Sequence, residues 1–172
     1  MDTDEICAIL RGSLKSKFCG VYALDELVRT PFPHRPCGIV CNTQPSSAPG
    51  EHWVAIWLKE DGSAEYFDSF AQKPVNVIRQ FLNKQTSCGW IRNHRRLQSA
   101  YTTVCGGFVI LYLYARHTKQ NWTMDTLIKR LFPFRDPWKN DKRVQNLMWK
   151  LFKYSLPILD SYTVNRMLHS TA

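Results

Sequence analysis

The sequence predicts an α+β fold: helices, a small mostly antiparallel sheet, a buried central helix and additional C-terminal helices. Three sets of residues carry that expectation. "HWVAIWLK" (52–59) and "AEYFDSF" (64–70) are aromatic and β-branched runs around "EDG", the pattern of a hairpin. Residues 105–118, "CGGFVILYLYARHT", are apolar almost all round, so that helix belongs inside the molecule. "TMDTLIKRLF" and "DKRVQNLMWKLFKYSLPIL" have amphipathic helical spacing, with Thr123 and Asp141 as the expected N-caps.

The other elements follow in chain order. "CGIVCN" (37–42) is strand-like and lies between the loops "PFPHRP" (31–36) and "TQPSSAPG" (43–50). A three-residue hairpin turn, Glu60-Asp61-Gly62 with Gly62 left-handed, pairs Lys59 with Ser63. His52 then lies opposite Phe70, on the same face as Asp68; a two-residue turn would put His52 and Asp68 on opposite faces. "VNVIRQFLNKQ" (75–85) is helical, with Val75, Ile78, Phe81 and Leu82 on its apolar face. Nothing in this order suggests a parallel doubly wound sheet, and 172 residues suit one domain, 1–172.

Composition narrows the function. Hydrophobic residues make up 44% and aromatics 13%, a globular composition. "MDTDEICAIL" begins acidic, with no basic region before an apolar core, so no secretory signal is expected. The longest apolar run, Phe108 to Ala115, is far short of the roughly 20 residues of a membrane span. A soluble intracellular protein is expected, and its six cysteines are expected to be reduced. A zinc site from His34, Cys37, Cys41 and Cys19 is the alternative, but no second closely spaced ligand pair accompanies "CGIVC", and no metal is expected. Net charge is +9, and residues 116–172 hold eleven Lys or Arg against four Asp, or +7. Such a surface is either a solvated helical face or a site for a polyanion.

The thiol at Cys105 begins the buried helix. A helix N-terminus favours thiolate, because its unpaired N–H groups carry partial positive charge. A nearby histidine would favour it further and later protonate a leaving amine. That histidine needs a carboxylate to orient it, and a tetrahedral oxyanion needs aimed donors. His52, Asp68 and Gln98 answer those needs, with the Cys105 backbone N–H as a second oxyanion donor. Trp53 is placed to cover the imidazole and narrow a substrate groove.

The stretches "CGIVCNTQPSSAPGEHWVAIWL", "AEYFDSFAQKP", "LQSAYTTVCGGFVILYLYAR" and "NWTMDTLIKRLF" together resemble the adenovirus-type, adenain-like cysteine proteases of adenoviruses and virus-like DNA transposons. The resemblance implies a papain-like fold, with His52 as general base, Asp68 as orienting acid, Cys105 as nucleophile and Gln98 as oxyanion donor. It implies a cysteine endopeptidase, working as a monomer in the host nucleus and virion, that processes capsid precursors at glycine-containing sites. An activating viral peptide, disulfide-bonded at Cys88, and DNA are implied as accessory cofactors. Lys129, Arg130, Lys139, Lys142, Arg143, Lys150 and Lys153 are the expected DNA contacts. Two features depart from the family: Asp68 stands where several adenoviral enzymes carry Glu, and the stretch from Asp68 to Gln98 is short. The SUMO and ubiquitin-like deconjugating proteases share the order of these residues. They typically separate Gln and Cys by six positions, with Asp before Cys, whereas here the separation is seven and Val104 precedes Cys105. An inert DNA-binding or virion structural protein would explain the charge but not the four-residue constellation.

Overall fold

The computed structural model describes residues 1–32 and 34–156. Helix α1 (Thr3–Leu14) opens on a capping box: Asp2 accepts from the Glu5 N–H at 2.9 Å, and Glu5 accepts from the Asp2 N–H at 2.8 Å. There follow β1 (Phe18–Tyr22), the single turn α2 (Leu24–Leu27), β2 (Cys37–Asn42), β3 (Trp53–Leu58) and β4 (Ala64–Phe67). Helix α3 (Asn76–Gln85), β5 (Trp90–Arg92), α4 (Cys105–Thr118), α5 (Met124–Leu131) and α6 (Pro137–Phe152) complete the described chain.

The five strands form one sheet in sequence order. Its centre, β2–β3–β4, is antiparallel as expected, but β1 joins β2 and β5 joins β4 in parallel, so the sheet is mixed. The hairpin has the expected register. Leu58 pairs with Ala64, the Lys59 N–H donates to the Ser63 carbonyl at 2.9 Å, and Gly62 has φ +82°. A side chain at that φ would be strained, and a Cβ there would stand 2.3 Å from Ser87 Oγ, so glycine is required twice over.

Both faces of the sheet are covered, which is why "WVAIWL" is apolar without alternation. Ala55, Trp57 and Phe67 join the core formed with α1, α4, α5 and α6. Val54, Ile56 and Leu58 join the opposite core, with Ile78, Phe81 and Leu82 of α3. Helix α4 spans the expected residues and packs against β3, α1, α5 and α6, with Phe108 to Leu113 fully buried. No helix among the described residues is long and apolar enough to cross a membrane.

Three local expectations are corrected. Val75 precedes α3 and is 42% exposed, so the apolar face begins at Ile78. Helix α6 starts earlier than Asp141: Asp136 is its N-cap, accepting from the Trp138 N–H at 3.0 Å, and Pro137 takes the first position, where a missing N–H costs nothing. Thr123 caps α5 as expected, accepting from the Thr126 N–H at 3.2 Å. Helix α6 also ends earlier than expected: Phe152 is its last residue, Lys153 caps it in the left-handed conformation and 153–156 are not helical, while 157–159 lie outside the described residues.

Candidate active site

His52 directly precedes β3 and Asp68 directly follows β4, so the antiparallel pairing brings both to one end of the sheet. His52 Nε2 and Asp68 Oδ1 are 2.7 Å apart. Asp68 is held from several sides. Its Oδ1 also accepts from the Phe70 N–H at 2.8 Å, its own N–H donates to Asn93 Oδ1 at 3.0 Å, and its carbonyl accepts from Asn93 Nδ2 at 2.7 Å. Asn93 is buried and fixes the backbone that aims the carboxylate.

The other ring nitrogen, Nδ1, is buried with no hydrogen-bond partner. The Cys105 thiol, at the first turn of α4, lies beside the same ring. Burial alone would lower the His52 pKa, but hydrogen bonding to Asp68 and Cys105 and the charges of both raise it to about 9. Burial likewise pushes the Cys105 thiol up. His52 and the backbone N–H groups of Trp53 and Gly106 outweigh that, and the thiol lies below its ordinary value. Cys41, with no such partners, goes the other way: burial first and the Glu26 charge second push its thiol up to about 12. The opposed shifts both favour moving the proton from the Cys105 thiol to the His52 ring.

Gln98 is buried on the loop before α4. Its Oε1 accepts from Ser69 Oγ at 2.7 Å, and its Nε2 donates to the Thr102 carbonyl at 2.8 Å. The Ser69 carbonyl accepts from the N–H groups of Leu97 and Gln98 at 2.8 and 3.1 Å. Consecutive residues thus serve two parts of the site: Asp68 orients the imidazole and Ser69 fixes the glutamine. Ser69, Asn93 and Thr102 carry no signal in the sequence, because each is a common polar residue with no spacing of its own to mark it.

Trp53 departs in part from expectation. The ring against the imidazole is Phe70, at 4.9 Å between centroids, while the Trp53 indole donates to the Met1 carbonyl at 3.3 Å. Trp53 lines a cavity of about 500 Å³ with Tyr22, Asn42, Gln44 and Gly50, and neither His52 nor Cys105 is among the residues that line it. Of the zinc candidates, His34 is exposed, Cys37 lies beside Cys19, and the Cys41 thiol donates to the Asn42 carbonyl at 3.1 Å. Among the described residues no cluster of His, Cys, Asp and Glu could hold a metal ion. Cys88 is exposed, next to β5 and beside the Gly62 turn at the far end of the hairpin from His52.

Lys129, Arg130, Lys139, Lys142, Lys150 and Lys153 are exposed on α5, α6 and the residue after it. Arg143 is not a free surface charge. Its Nε donates to the Leu131 carbonyl at 2.7 Å and its Nη2 to the Arg130 carbonyl at 3.3 Å, closing the end of α5.

This fold, a sheet with a buried helix that delivers a thiol to a His–Asp pair at the sheet's end, is the papain-like, adenain-like α+β fold. The crystal structure of the African swine fever virus protease superposes with a TM-score of 0.58 at 22% identity, covering 83% of this chain and 65% of that one. In sequence, the chain is similar to a cysteine protease from a tick isolate of the same virus, 31% identical over 123 residues. A pig isolate's counterpart, named a SUMO-1 cysteine protease, is 30% identical over 123 residues. Each alignment covers 60% of this chain and 44% of the viral protein, so the match spans under half the length of these relatives. No family model matches the chain.

Proposed function

We propose that this chain is a cysteine endopeptidase in which Cys105, His52, Asp68 and Gln98 act as nucleophile, general acid–base, orienting carboxylate and oxyanion donor. The observation that carries the reading is the His52 ring held between Asp68 at 2.7 Å and the Cys105 thiol, whose pKa is lowered while that of the imidazole is raised. The Cys105 thiolate attacks the scissile carbonyl carbon, forming a C–S bond and moving the carbonyl π pair onto oxygen. As that intermediate collapses, the His52 imidazolium gives its proton to the leaving amine and the C–N bond breaks, leaving a thioester. His52, now neutral, takes a proton from water; hydroxide addition and loss of the thiolate then release the acid. Similarity to named viral cysteine proteases supports the same reading.

The substrate we propose is a capsid precursor of a virus or virus-like element, cut at glycine-containing sites, with the enzyme a monomer in the nucleus and virion. The exposed lysines of α5 and α6 support sequence-independent DNA as an accessory partner, and the exposed Cys88 is available to an activating peptide. A second reading, removal of a SUMO-like modifier, is favoured by the name one relative carries. Incubation with the capsid precursor and with a SUMO-1 fusion, each compared with Cys105→Ala, separates the two. We expect Cys105-dependent cleavage of the precursor. Cleavage of the fusion alone would establish the second reading, and activity that survives Cys105→Ala would overturn both.

A further inference from the structure

Helix α6 carries two adjacent polar residues, Asn140 and Asp141, that are fully buried. Buried polar side chains are held by partners, and both turn toward the loop that carries Gln98. Asn140 Nδ2 donates to the carbonyls of Leu97 and Phe134 at 3.2 and 2.9 Å, and its Oδ1 accepts from the Phe134 N–H at 3.1 Å. Asp141 accepts from the Ser99 N–H, at 3.2 Å to Oδ2, and from Thr102 Oγ1 at 3.0 Å. With its hydroxyl proton directed to Asp141, Thr102 Oγ1 presents a lone pair to Gln98 Nε2, 3.3 Å away.

We propose that Asp141, acting through Thr102, is a positioning residue that aims the Gln98 amide at the oxyanion. The inference rests on the cysteine-protease reading above. The Thr102 carbonyl and hydroxyl share one Gln98 N–H in a three-centre bond. Ser69 Oγ fixes the other end of the amide at 2.7 Å, and the second N–H is the oxyanion donor. Thr102 lies three residues before Cys105, so this clamp sets the amide beside the first turn of α4. Without Asp141 the Thr102 hydroxyl keeps only the longer contact to the Ser99 carbonyl, at 3.4 Å, so its proton is held less firmly away from Gln98 Nε2 and the amide plane is less fixed. Burial raises the Asp141 carboxyl to about 7 although Thr102 and Ser99 oppose the shift, the mark of an acid kept inside the protein for its contacts.

The test is a double-mutant cycle on the whole chain with a small peptide substrate. Gln98→Ala is expected to lower kcat by about 10²–10³, the usual cost of one oxyanion donor. Thr102→Val and Asp141→Leu are each expected to lower kcat about tenfold, with KM nearly unchanged. In the Gln98→Ala background neither should lower it further, because the amide they position is gone. Asp141→Asn, which keeps an acceptor oxygen, should restore most of the rate. Independent, multiplying losses would overturn the inference while leaving the protease reading intact. Absence of Cys105-dependent cleavage would instead overturn the protease reading. A measurement that needs no turnover also applies: the Gln98 side-chain NH₂ signals in isotope-labelled protein, assigned by their loss in Gln98→Ala. We expect Thr102→Val and Asp141→Leu to shift them and speed their exchange; unchanged signals would overturn the inference on their own.

Discussion

The hairpin and α4 hold two buried acid–base clusters, one toward each end of that helix, and only one is left open. Toward its C-terminal end Glu65 is saturated. Arg116 Nη2 lies 2.8 Å from Oε1, the Tyr112 hydroxyl donates to Oε2, and Lys59 Nζ stands 3.5 Å away. Arg116 Nε adds a 2.8 Å ion-pair contact that lies off its N–H direction, and its Nη1 donates to the carbonyls of Gln120 and Trp122. Toward the other end Asp68 is as tightly held, but His52 keeps Nδ1 without a hydrogen-bond partner and its side chain is 11% exposed. A buried charge with every partner in place stabilises a structure or merely persists in it; one that leaves a ring nitrogen unpartnered beside a thiol can move a proton.

Substitutions that exchange the two losses would break the comparison. Asp68→Asn should lower kcat by about 10³–10⁴ through the wrong imidazole tautomer, with the fold retained. Glu65→Ala should cost about 3–5 kcal/mol of stability, because it leaves Arg116 buried without its partner. Kinetics and thermal unfolding of both variants decide this; an inactive but fully stable Glu65→Ala would contradict the division.

The pH profile sharpens the same contrast. The raised imidazole keeps its proton up to about 9 and the lowered thiol loses its own early, so the reactive pair persists between those limits. kcat/KM should therefore fall as pH rises through about 9, and on the acid side only below the ordinary thiol range near about 8.5. An acid limb at the ordinary thiol value would mean the pair does not form.

The smallest expected effect lies on the surface. Lys139→Glu, Lys142→Glu and Lys150→Glu together should weaken DNA binding and flatten its salt dependence, each lost phosphate contact removing about 0.9 from the log–log slope. Peptide cleavage should be unchanged. Arg143 is unsuited to this test, because its guanidinium holds the end of α5. No binding at low salt would leave these charges as a solvated face.

What could be read from the sequence was local. The register that aligns His52 with Asp68 followed from one glycine at a three-residue turn, and α4 from an unbroken apolar run. The parallel edge strands were hidden. Strand β5 has three residues, β1 carries a bulge between Phe18 and Gly20, and parallel partners are joined through distant segments that no local pattern records. Asp141 was misjudged because aspartate is a good N-cap type, and the stronger start signal, Asp136 before Pro137, stands five residues earlier. Its true surroundings, Ser99 and Thr102, lie about forty residues away in the chain and touch it only in the folded protein.

The claim on which the rest depends is that His52 ionises Cys105. The direct measurement is the rate of Cys105 alkylation by iodoacetamide as a function of pH, resolved by peptide mass from the other cysteines, in the native protein and in His52→Ala. The account predicts a native midpoint well below the ordinary thiol range, rising to or above that range when the imidazole is removed. Coincident midpoints in the two proteins would contradict it.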